Sequence, residues 1–293
     1  MAKARGAAAE AACLLLDLSH DEVSIVTHEL CDPLQPLLAV HLSSTAKGLR
    51  EAMEEQLAEL KQQRQGAAAL AALCGLSCAQ LRGATRLWLG AVHTGCLTLD
   101  HYRTLGTLLR CRSLPRLQEF VIDGCNNGDE GVALLAAGLG RSALPSLSTL
   151  IIECAEIGPR GATALAAALT KRAVPLLDLV SFDQNPIGDV GMASLAPALR
   201  QLPELETLFL EGNQITDRGV ASLLLVAPPT VDVLPSLKEL SLKDNQITDE
   251  GCAALTSALR GGALPALRSL YLGDNPSSAQ AQAEAEAQLL ARA

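Results

Sequence analysis

The chain has 293 residues, enough for one or two domains, and 49% are hydrophobic while only 2% are aromatic, so its core must be built from Leu, Ala, Val and Ile. With 23 Lys and Arg against 32 Asp and Glu, the formal net charge is −9, which argues against nucleic acid and anionic membrane surfaces as main partners and leans towards a basic protein. No apolar run approaches the roughly 18 residues of a bilayer span, and the nine cysteines are scattered without a disulfide framework or paired zinc ligands; reduced thiols in a cytoplasmic or nuclear protein are expected.

Residues 1–84 read as an all-α N-terminal block. Its opening, MAKARGAAAEAACLLLDL, sets Lys3 and Arg5 before an apolar stretch, but Glu10 interrupts that stretch and no small-residue cleavage site follows. The stretch reads as a lead-in helix rather than a signal peptide. Leu18–Met53 carries short helical apolar clusters around a Pro-broken turn, CDPLQP, with more apolar surface than three small helices can bury alone. Glu51–Leu73 continues as helix, with Glu59 and Lys61 on a solvated face. The block resembles an F-box. Leu18, Asp21, Glu22, Val23 and Ile25 match its opening helix, Leu30, Asp32, Pro33 and Leu34 its central turn, and Lys47–Arg50 its closing stretch. It departs from that pattern at Ser19, where Pro is usual, at Ala46, in place of Cys, and in lacking the Trp. The resemblance implies a partner surface of Ile25, Leu30, Pro33, Leu34 and Leu49 for the Skp subunit of a cullin ubiquitin ligase. The other reading is a helical cap that seals the open end of the repeats beyond it, and one block can serve both purposes.

Thr85–Leu109 reads as a degenerate first repeat (85–114) with Leu87 and Leu89 on its strand. A regular period follows. Pro115, Pro145, Pro175, Pro203, Pro235 and Pro265 stand 28 to 32 residues apart, the mark of a solenoid of stacked units. Five residues after each proline comes Phe120, Leu150, Val180, Leu208, Leu240 or Leu270, and seven after it Ile122, Ile152, Phe182, Leu210, Leu242 or Leu272; this alternation is strand spacing. Ten after it the last four units carry Asn185, Asn213, Asn245 and Asn275, able to bond backbone groups where strand turns into loop. Apolar residues then recur at helical spacing, as in Cys252, Leu255, Thr256 and Leu259. The pairs Gly188–Asp189, Thr216–Asp217 and Thr248–Asp249 lie just ahead of these runs and suit helix N-caps. Pro197 is expected to kink or shorten its helix, and Leu225–Val233 to be a surface insertion. The phrase LKELSLKDNQITDEGCAALTSAL resembles the ribonuclease-inhibitor type of leucine-rich repeat. That resemblance implies an α/β horseshoe over 85–293, with a parallel sheet on the concave side, helices outside, regular repeats over 115–275 and a polar C-terminal cap at 276–293.

Side chains between the core positions of the strands point into the horseshoe. They include an acidic column, Asp123, Glu153, Asp183 and Glu211, with Phe209 and Tyr271 beside it. This is a candidate groove for a basic protein, against the alternative of a merely solvated surface. Catalytic templates find nothing. The histidines lack metal-ligand spacing, no Ser or Cys has a paired base, and no Gly-rich phosphate loop occurs. The resemblance extends to the Ran GTPase-activating protein, but its Phe-Thr-Gly-Arg loop is missing here, and Arg160 and Arg218 read as surface residues. The expectation is a non-enzymatic scaffold without cofactor or metal. It holds a protein partner, as an F-box-type substrate adaptor, or else as a plain recognition protein with no ligase contact or a Ran-type GTPase activator.

Overall fold

The computed structural model describes residues 54–91, 94–140, 143–169, 173–224 and 233–291. The F-box-like stretch, with Ile25, Leu30, Pro33, Leu34 and Leu49, lies outside the described residues, as does the insertion from 225 to 232.

Two helices open the described chain, α1 (Glu54–Leu73) and α2 (Cys78–Gly83). Strand–helix units follow: β1 (Arg86–Gly90) and α3 (Leu99–Arg110), β2 (Glu119–Asp123) and α4 (Gly128–Gly138), β3 (Thr149–Glu153) and α5 (Pro159–Leu169), and β4 (Leu179–Ser181) and α6 (Gly188–Leu199). The series ends with β5 (Thr207–Phe209) and α7 (Asp217–Leu224), β6 (Glu239–Ser241) and α8 (Asp249–Arg260), and β7 (Ser269–Tyr271) and α9 (Ala279–Leu290). The strands form one seven-stranded parallel sheet in sequence order, with every neighbour parallel. The expected α/β solenoid is what forms, and the degenerate first unit supplies its edge strand.

One strand and one helix per unit dictate the curvature. Neighbouring strands sit about 4.8 Å apart, whereas packed helices need roughly 8–10 Å. The helix layer must therefore lie on the outside of an arc and the sheet on the inside. Between the layers lies a continuous apolar core. Leu87, Phe120, Leu150, Val180, Leu208, Leu240 and Leu270 and their partners two residues on are all buried. Aliphatic side chains fill most of this seam, joined by Phe120, Phe182 and Tyr102, and the outer helices pack closely on one another. On α4, Gly138 lies so near the Gly106 carbonyl of α3 that no Cβ fits.

Each strand is broken by a left-handed residue nine positions after its proline: Gly124, Cys154, Gln184, Gly212, Asp244 and Asp274. The turn that follows is held by asparagine. Asn245 Oδ1 accepts from the Asn213 and Ile215 N–H groups of the preceding unit, and its Nδ2 donates to the Leu210, Leu242 and Lys243 carbonyls. Asn185 repeats the pattern towards Ala155 and Ile157. Each side chain thus replaces the backbone pairing that the loop gives up on leaving the sheet. Asn213 makes only half of it. Its Nδ2 donates to the Phe182 and Glu211 carbonyls, but its buried Oδ1 meets no donor among the described residues, because the Ile187 N–H ahead of it turns back to the Asn185 carbonyl.

Of the expected N-caps, Thr248 serves as one, its Oγ1 accepting from the Glu250 N–H at the start of α8, but the aspartates differ from expectation. Asp217 and Asp249 begin their own helices and Asp189 lies within the first turn of α6, and each caps the following helix instead. Asp189 Oδ1 accepts from the Thr216 and Gly219 N–H groups while its Oδ2 takes the Thr216 hydroxyl. Asp217 does the same for Thr248 and Asp249 for Ser278. Asp129 caps α5 through Gly158 and Gly161. A carboxylate at a helix N-terminus meets both unpaired N–H groups and the positive end of the helix dipole. Pro159 stands at the corresponding position of α5, so α6 starts without a side-chain cap. Pro197 does not shorten α6, which keeps 12 residues, because it falls in the last turn, where only one helical bond is lost.

Candidate protein-binding face

In-register parallel pairing turns positions along a strand into rows across the sheet. One row on the open face runs from Trp88 through Val121 and Ile151 to Ser181, then Phe209, Ser241 and Tyr271. Two residues further along the chain in each unit lies a second row, in which Asp123 pairs with Glu153. Backbone bonds carry this row on: the Cys154 N–H donates to the Asp183 carbonyl, the Gln184 N–H to Glu211 and the Gly212 N–H to Lys243. The four acids therefore stand in consecutive units, Asp123 and Glu153 at the ends of β2 and β3 and Asp183 and Glu211 two residues past β4 and β5, and Lys243 ends their row.

Three of the carboxylates are anchored by the next strand. Ser181 Oγ donates to Glu153 Oε1 at 2.5 Å, Ser241 Oγ to Glu211 Oε1 at 2.6 Å, and the Glu211 N–H to Asp183 Oδ1 at 2.6 Å. Both serines are almost wholly buried, so Glu153 and Glu211 lean across them towards the apolar row. Among the described residues, the ion pairs join Arg86 to Glu119, Arg103 to Asp100 and Lys238 to Glu206, and none involves the four acids. Asp183 shows the strain of this arrangement. Burial pushes its carboxyl up to about 6, and the neighbouring charges of Glu153 and Glu211 push the same way, against the stabilising Glu211 N–H. Asp178, further down the same unit, is also raised, by burial and then by Glu206.

The expected aromatic anchors differ in exposure. Phe209 is half-buried; Tyr271 is 38% exposed and carries the Lys243 ammonium 5.2 Å from its ring centre. Trp88, the chain's one tryptophan, is an exposed large side chain of this face that the repeat alignment passed over. Its Nε1 donates to Glu119 Oε1 at 2.6 Å, and the Arg86 guanidinium lies 4.9 Å over its ring while holding Glu119 Oε2 at 2.7 Å. A strand-spaced triplet Leu87–Trp88–Leu89, with both leucines inward, is the signal that places it on the open side.

Elsewhere the chemistry is structural. His101 Nδ1 accepts from the Thr98 N–H in a capping box at the start of α3. Arg160 and Arg218 are exposed in the first turns of α5 and α7. Among the described residues, no group of three or more His, Cys, Asp or Glu is placed to hold a metal ion, and no helix is long and apolar enough to cross a membrane.

A family model described as "Leucine Rich repeat" matches residues 143–166, 202–224 and 233–255. No curated protein matches the chain. Similar solved structures include the TLR13–ssRNA13 complex, 22% identical over 70% of this chain and 35% of that one, with a TM-score of 0.25. A TDR receptor is 16% identical over 60% of this chain and 32% of its own, with a TM-score of 0.27. An internalin from Listeria monocytogenes is 16% identical over 76% of this chain and 92% of its own, with a TM-score of 0.23. The chain spans about a third of the length of the first two. The matched repeats, the ordered parallel sheet and the outer helices together make this an α/β leucine-rich-repeat solenoid.

Proposed function

We propose that this chain is a non-catalytic scaffold whose concave face holds a basic protein partner through Asp123, Glu153, Asp183 and Glu211, with Phe209 and Tyr271 as apolar anchors. The observation that carries this reading is the row of four carboxylates without a cation of their own among the described residues, three of them fixed by neighbouring strands. Holding like charges on adjacent strands opposes folding, and a cationic partner would relieve that cost. Changing Asp183 and Glu211 together to Lys, with circular dichroism to verify the fold, abolishes partner capture by the full chain. Capture of the same proteins by the double variant would defeat the proposal.

The finer reading places the repeats in the ribonuclease-inhibitor subtype, in a cytoplasmic or nuclear protein with an N-terminal domain over 1–84 and a repeat domain over 85–293. The support for the subtype is the match of the strand leucines, the turn asparagine and the Gly of the helix start to that pattern. The F-box-like residues Ile25, Leu30, Pro33, Leu34 and Leu49 add a second surface for a Skp subunit, making the chain a substrate adaptor of a cullin ubiquitin ligase. Co-expression of the full chain with a Skp subunit yields a complex that Leu34→Asp disrupts. A full chain that never co-purifies with Skp leaves a recognition scaffold without ligase contact.

A further inference from the structure

We infer that the segment the concave face accepts is a basic amphipathic α-helix lying across the strands, along the arc of the sheet, rather than an extended strand. The inference rests on the concave-face reading above and concerns the shape and residue spacing of the partner.

The argument is one of matching repeats. The acids recur once per strand, every ~4.8 Å, so the four span about 14 Å. An α-helix returns to the same face once per turn, every ~5.4 Å, and three turns cover about 16 Å. A difference of about 2 Å over the whole row is within the reach of flexible Lys and Arg side chains. An extended chain repeats a face every ~6.7 Å, covers about 20 Å in the same three steps, and loses register by the third acid.

Width agrees with length. The acid row and the row of Val121, Ile151 and Phe209 are two residues apart on each strand, about 7 Å. A helix about 10 Å across touches both, setting a basic stripe on the carboxylates and an apolar stripe on the row beside them. Glu153 and Glu211 lean over Ser181 and Ser241 towards that apolar row, which brings charge and apolar surface under one helix. Lys243 follows the four acids on the next strand. The best occupant therefore carries basic residues at i, i+3, i+7 and i+10 and an acidic residue one turn later.

Three synthetic peptides of identical composition test this against the full-length protein by fluorescence anisotropy. One places the basic residues on a helical stripe, one alternates them for an extended register, and one scatters them around a helix. The striped peptide is expected to bind at least tenfold tighter than either other, to gain helical circular dichroism on binding, and to lose that advantage against Glu153→Gln/Glu211→Gln. Equal or tighter binding of the alternating peptide overturns the helix inference and leaves the acidic-face reading standing. Equal binding of all three, weakened by the Gln substitutions, also overturns the register argument alone. Binding of none, or binding indifferent to the Gln substitutions, overturns both.

Discussion

Replacing Asp183 by Asn separates the charge of the acidic row from its geometry. The amide keeps an oxygen able to accept the Glu211 N–H, which Asp183 Oδ1 accepts at 2.6 Å, so the loop between strands is preserved. What disappears is a negative charge flanked by Glu153 and Glu211. A carboxyl raised from 3.8 to about 6 is a folded-state cost, and at 1.36 kcal/mol per pH unit that rise corresponds to about 3 kcal/mol. Asp183 is only half-buried, and solvent screening reduces this to about 1 kcal/mol. The sign follows from proton binding. Between pH 4 and 6 the folded chain holds the Asp183 proton more tightly than the unfolded chain, so stability falls as pH rises through that window and the cost is fully present above it. Asp183→Asn should therefore raise Tm at pH 8 by about 2–4 °C, and the advantage should shrink as pH falls from 6 towards 4. Thermal melts of both proteins followed by circular dichroism at pH 8, 6 and 4.5 measure it. A lower Tm for the variant at pH 8, or a difference constant with pH, would refute the account of a strained central carboxylate.

Other perturbations test the frame that positions this face. Asn245→Ala removes a side chain that bonds five backbone groups and should cost about 3 kcal/mol in urea denaturation, more than Asn275→Ala, which breaks bonds at the end of the array. Gly251→Ala drives a methyl group into Asp217 Oδ1 and should destabilise by about 2 kcal/mol. Asp217→Ala alone should cost about 1 kcal/mol through loss of the α8 cap, and the double variant should fall short of the sum, which a double-mutant cycle reads directly. Gly138→Ala forces α4 away from the Gly106 carbonyl and should lower Tm by at least 5 °C; an unchanged melt would mean the helix layer is looser than its packing implies.

The strand columns were legible in the sequence because two physical periods, two residues along a strand and one unit along the solenoid, both leave marks in a single chain. Leu210 and Leu242 are inward for the same reason in every unit. Asn245 was legible too, since few side chains can both donate and accept inside a dry turn. The aspartates were misplaced because nearness in sequence favours a cap on one's own helix, while the bond from Asp217 to Thr248 crosses 31 residues and depends on how units stack. The burial of Ser181 and Ser241 was hidden for a similar reason, since it is set by larger neighbours and by carboxylates from other strands. Trp88 escaped because its unit lacks the leading proline by which the others were aligned.

The forward reach of the aspartates bears on how such a chain can change length. Each carboxylate is offered to the next unit and each helix start is served by the one before, a head-to-tail coupling with the same chemistry at successive joints. Removing or duplicating one whole unit between Asp189 and Ser278 joins a donor to an acceptor of the same kind and orphans neither. The joint between Pro159 and Gly188 is different, because no carboxylate is passed across it. Gain or loss of units should therefore be cheapest on the C-terminal side of that joint, which would lengthen or shorten the arc while Asp123 and Glu153 on β2 and β3 stay where they are.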